Sequence, residues 1–130
     1  VEHLNEVVST LRHKISAPLA IKLPSSMPLP LLDIARTLVR NKIPVAMCHN
    51  ASVEGRPSQA QAILEACEGE LDVIGVGGVS TGAQALAVLQ GGIKAIQIGS
   101  AVGKEGVGVF ARLKHELAAL TGTEIEELAS

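Results

Sequence analysis

Aromatic residues are almost absent: the chain of 130 residues has one phenylalanine and neither tyrosine nor tryptophan. That removes the stacking platforms that hold single-stranded nucleic acid and the aromatic anchors of many protein interfaces. Charge is sparse too. The formal net charge is -2 at pH 7, so no strong field draws the chain to nucleic acid or an anionic membrane surface. Pro, Gly or a charged residue interrupts every apolar run well short of the ~18 residues of a membrane span. The opening residues lack the basic, apolar and small-residue succession of a secretory signal. Cysteine is scarce as well. Cys48 and Cys67 fall in different predicted elements, which points to a reduced, cytoplasmic setting rather than a disulfide framework.

What remains is a chain 47% hydrophobic, enough for a packed core, with a regular rhythm. Residues 2–13 place Leu4, Val7, Val8 and Leu11 at helical spacing. "APLAIKL" (17–23) reads as a buried strand, and Pro30 suits the first turn of a helix over 31–41, with Leu31, Ile34, Ala35 and Leu38 on one face. "IPVAMC" (43–48) is the second strand, and a helix over 58–67 follows with Ser58 as N-cap. "LDVIGV" (71–76) and "AIQI" (95–98) are the third and fourth strands, with helices predicted near 80–90 and 106–119. The acidic tail "TGTEIEELAS" offers one more helical turn. Near-continuous apolar strands alternating with helices predict an α/β unit with a parallel sheet, residues 1–130 forming one unit of about four strands. The pattern fits an open doubly wound sheet or half of a (β/α)8 barrel. In both, ligands bind at the carboxyl ends of the strands.

Two of those ends are unusually bare. "DVIGVGGVSTGAQALAVL" (72–89) runs from strand through Gly77-Gly78 into a helix that Ser80 or Thr81 can cap. "AIQIGSAVGKEG" repeats the plan with Gly99-Ser100. Residues without a Cβ let backbone N–H groups approach an anion, and helix N-termini favour negative charge. Loops after the last two strands of a barrel frequently make one phosphate cradle. The two turns are therefore predicted to share one phosphate, against the plainer reading of two tight turns with no ligand. "GVGGVS" is not the dinucleotide fingerprint, and no P-loop pattern is present.

The stretch 72–117 resembles the carboxy-terminal part of dihydroorotate dehydrogenases, and looks most like their soluble, flavin-binding members. "APLAIKLPSSMPLPLLDIARTL" and "VAMCHNAS" resemble the fifth and sixth strand regions of the same barrel. The resemblance implies the carboxy-terminal half of a (β/α)8 barrel, FMN as cofactor, and oxidation of dihydroorotate to orotate in pyrimidine biosynthesis. By position it makes Lys22 the lysine beside the flavin. There a cation stabilises the anionic reduced ring. Asn50 becomes a substrate-binding residue, Val76, Gly77 and Gly78 the first phosphate turn, and Gly99 and Ser100 the second. Ala51 stands where the family usually has a small hydroxyl residue, which removes one donor. His49 reads as a loop histidine.

The departures carry equal weight. The family's catalytic base, a Cys or Ser after the fourth strand, has no counterpart here, and Cys48 and Cys67 read as small buried hydrophobes. Between Asn50 and the helix at 58 the family has a longer stretch with its own glycine turn. Half a barrel leaves two sheet edges and an apolar interior uncovered. The chain is therefore expected to pair with a second copy or a separate amino-terminal half, or to derive from a longer chain; the start at Val1 favours the last. The alternatives to an oxidoreductase of this type are a non-catalytic phosphate- or FMN-binding module and a related flavin enzyme with another substrate.

Overall fold

The order of strands in space repeats their order in sequence. A computed structural model describes residues 1–26, 28–51 and 58–123. In it β1 (Ala20–Lys22), β2 (Val45–His49), β3 (Asp72–Val76) and β4 (Ala95–Gln97) form one parallel sheet in the order β1-β2-β3-β4. A doubly wound sheet reverses its winding at a switch point. This one does not reverse, and the chain advances in one direction as it does around a barrel.

The helices are α1 (Glu2–Lys14), α2 (Leu31–Arg40), α3 (Gln59–Ala66), α4 (Gly82–Gln90), α5 (Ser100–Glu105) and α6 (Gly108–Thr121). Their starts follow local chemistry. Pro30 is the N-cap of α2, with φ -56. The Ser58 hydroxyl accepts from Gln61 N at 3.2 Å to begin α3. Thr81 and Gln84 form a reciprocal capping box at α4. Gly122, at φ 68, ends α6 in the left-handed conformation that glycine adopts without strain.

The two faces of the sheet differ. Ala46, Cys48, Val73 and Gly75 point to the helical side and are buried with Ile34, Ala35, Leu38 and Ile63. Alternation sends Lys22, Val45, Met47, His49, Ile74, Val76 and Gln97 to the other side, where all of them retain exposure. That second face is the side a closed barrel would turn inward, and no described element covers it.

Several boundaries differ from the sequence reading. The single helix expected over 106–119 is preceded by a separate short one, α5, because Gly106 (φ 76, ψ -172) breaks the helical path. The strands at 17–23 and 95–98 are shorter, at three residues each. In α1 only Val8 is buried, while Val7 and Leu11 stay 43% and 41% exposed, because among the described elements α1 packs chiefly on α2. A hydrogen bond donated by Asn41 Nδ2 to Asn5 Oδ1, 2.9 Å, holds that contact. The expected tail turn and most of the 51–57 loop lie outside the described residues.

Candidate phosphate site

The turn after β3 is built by backbone conformation. Gly77 and Gly78 have φ of 86 and 77, a region that side-chain-bearing residues enter only with strain. A Cβ placed on Gly77 or on Gly99 would meet open space, so these positions face an unfilled volume. Gly78, Val79 and Ser80 line one wall of a cavity of about 190 Å³, and Ser100, Ala101, Lys104 and Glu105 line the other. The structure thus brings the Gly78 and Ser100 turns together across a single hollow at the carboxyl ends of β3 and β4. Among the described residues no backbone acceptor takes the N–H groups of Gly78, Val79, Gly99 or Ser100. Amide hydrogens, the Ser100 hydroxyl and the Lys104 ammonium make up the donor set of a phosphate site, the Ser80 hydroxyl already donating to Gln84 Oε1 at 3.2 Å. The residues present fit the phosphate of a mononucleotide.

The start of α4 is not part of that donor set. The Gln84 side-chain oxygen accepts from Ser80 N and Thr81 N at 2.9 and 3.2 Å, and the Glu116 carboxylate accepts from Gly82 N. The protein itself thus occupies three amides near the helix start, and the unclaimed amides lie one turn earlier. Behind the cavity sits Arg112. It donates to Glu105 through Nε (2.9 Å) and Nη2 (2.7 Å), to Glu116 through Nη1 (2.6 Å), and to the Ser80 carbonyl through Nη2 (2.9 Å). Donation from Gly82 N, then from Arg112, holds the Glu116 carboxyl below the usual glutamate range. The same carboxylates push the guanidinium further up.

Lys22 ends β1 on the inner face, in register with Met47 of β2. Asn50 follows β2 directly, is exposed, and holds a positive φ of 53. Val76 is on the inner face beside the first turn, in register with His49 and Gln97. The residues named from sequence therefore share the carboxyl end of the sheet, with Lys22 two strands from the Gly77-Gly78 turn and three from Gly99-Ser100. Two neighbours read differently in the structure. His49 is the last residue of β2 rather than a loop residue; its N–H donates to Gln59 Oε1 at 3.1 Å, and Gln59 Nε2 reaches Pro24 O at 3.0 Å. Ala51 is 5% exposed and lies against Gly75, where any Cβ would collide with it. Its small size serves that packing on the helical side.

Sequence reasoning missed His49, Gln97, Arg112 and Glu105. Carrying the strand alternation one residue past Cys48 would have put His49 on the Lys22 face. The Arg112–Glu116 spacing of four is a readable helical pair, but the Glu105 partnership depends on the break at Gly106.

Both cysteines are free and buried. Burial, and secondarily Cys67, pushes the Cys48 thiol up to about 12, and burial raises Cys67 too. Neither is a ready thiolate. Among the described residues no cluster of His, Cys, Asp and Glu could hold a metal ion, and no helix is long and apolar enough to cross a membrane.

Sequentially ordered parallel strands with helices on one face, and a hollow at the carboxyl ends of β3 and β4, define a partial (β/α) barrel. Residues 59–121, just under half of the chain, match the family model of dihydroorotate dehydrogenase. It is 47% identical over 51 residues to a dihydroorotate dehydrogenase (quinone) of Rhodospirillum rubrum, covering 39% of this chain and 14% of that protein. It is 41% identical over 58 residues to one from Xanthobacter autotrophicus, covering 45% of this chain and 16% of that one. Both names specify a quinone enzyme, where the sequence reading leaned toward the soluble members. The crystal structure of the Eimeria tenella dihydroorotate dehydrogenase in complex with ferulenol superposes with a TM-score of 0.67 at 20% identity, over 81% of this chain and 34% of that one. That likeness establishes the fold, a TIM barrel of which this chain matches a part.

Proposed function

We propose that this chain supplies the phosphate-binding side of an FMN-dependent dihydroorotate dehydrogenase, which oxidises dihydroorotate to orotate. The observation that carries the reading is the shared cavity: two turns twenty-odd residues apart present unclaimed amides to one volume. Gly78, Ser100 and Lys104 would hold the FMN phosphate, Gly77 and Gly99 leaving it room, and Lys22 and Asn50 would face the ring and the pyrimidine. Bound FMN would accept the hydride from the substrate. No residue of this chain is assigned as the base that takes the accompanying proton. The chain by itself is therefore expected to turn over dihydroorotate poorly even when it binds FMN.

The inner Met47, Ile74 and Val76, and Val7 and Leu11 of α1, are apolar side chains that retain exposure among the described residues; a second copy of the chain or a separate amino-terminal half would cover them.

The test is a fluorescence titration of FMN with the native chain and with Gly78→Val. The expected result is one site per chain, lost in the variant, with helicity by circular dichroism unchanged. Equal binding by both proteins removes the cradle from this turn.

A further inference from the structure

A carboxylate on the wall of a phosphate cavity is an electrostatic contradiction, and Glu105 is such a carboxylate. It stands across the hollow from Gly78, where its charge would repel the anion that the amides attract. The structure also shows what offsets it. Both Glu105 oxygens accept from Arg112, at 2.7 and 2.9 Å, in the paired geometry that best neutralises a carboxylate. The same guanidinium donates to the carbonyl of Ser80 on the opposite wall, and its third nitrogen holds Glu116, which in turn accepts from Gly82 N at the start of α4. One side chain thus reaches the turn after β3, the short helix after β4, and α6.

We propose that Arg112 is a positioning residue for the phosphate. It fixes the separation of the two turns by joining Ser80 to Glu105, and it keeps the Glu105 charge directed away from the cavity. This inference rests on the FMN reading above and adds to it a residue outside the glycine turns. Arg112 does not itself line the cavity, so it acts through the two walls rather than by touching the ligand.

FMN and riboflavin distinguish this role from general support of the fold, since riboflavin has the ring and ribityl chain but no phosphate. In titrations of the 130-residue chain, Arg112→Ala is expected to weaken FMN about tenfold or more and riboflavin no more than about twofold, since charge-assisted bonds to the walls are lost. Glu105→Gln in the Arg112→Ala background is expected to recover most of the FMN loss by removing the bared charge. Arg112→Lys keeps a cation but not the planar fork, so it guards against a variant that fails to fold. It is expected to weaken FMN about threefold with riboflavin unchanged. Native-like FMN affinity in both Arg112 variants, equal losses for FMN and riboflavin, or no recovery with Glu105→Gln would each overturn the proposal. If the native chain binds riboflavin and FMN equally, or neither, the phosphate reading fails and this inference fails with it.

Discussion

Gly82 and Glu116 lie in contact: the Gly82 N–H donates to the Glu116 carboxylate, and a Cβ on Gly82 would collide with the Glu116 side chain and with the backbone that follows it. The start of α4 is seated directly on α6. Gly82→Ala, normally a gain in helix propensity, is therefore expected to destabilise the chain by about 1–3 kcal/mol through overpacking. Thermal unfolding followed by circular dichroism measures this. A melting point equal to or above that of the native chain would contradict the close packing.

The same carboxylate makes a prediction about acid. The folded Glu116 pKa is depressed by Gly82 N and Arg112. Its contribution is thus present above the unfolded value and is lost as pH falls through the folded one. Stability should decline from about pH 4 downward in the native chain. Glu116→Gln, less stable at neutral pH, should show a shallower decline over that range. Parallel curves for the two proteins from urea unfolding would show that Glu116 titrates alike folded and unfolded.

Lys22 predicts an effect on redox chemistry rather than anchorage. It lies on the inner face at the end of β1, and with FMN held as proposed a cation there would favour the anionic reduced flavin. In Lys22→Ala the potential of bound FMN should fall, while affinity for the oxidised cofactor changes little. Spectroelectrochemical titration beside a fluorescence titration reads both. An unmoved potential would make Lys22 a bystander at the strand end.

Much of this was legible in the sequence for physical reasons. Strand positions followed from apolar runs bounded by Pro and Gly, and the Ser58 and Thr81 caps followed from side chains able to accept from N2 or N3 amides. The Gly77-Gly78 and Gly99-Ser100 turns stood out because only positive φ or close approach explains so many bare positions at strand ends. Winding direction was not legible, since local pattern is the same for a sheet that reverses and one that does not. The Arg112 network was hidden because its partners come from three elements, and α5 was not foreseen. Ala51 was read through its missing hydroxyl. Its actual constraint, the contact with Gly75, is a tertiary fact that no local pattern records.

The central claim is that amides of both turns grip one phosphate. Backbone-resolved NMR of the chain titrated with FMN tests it most directly, with riboflavin as the phosphate-free control. The amide signals of Gly78, Val79, Gly99 and Ser100 should move together with FMN, saturate at one common concentration, and respond weakly to riboflavin. Movement of one turn alone, or the same response to both ligands, would contradict the account.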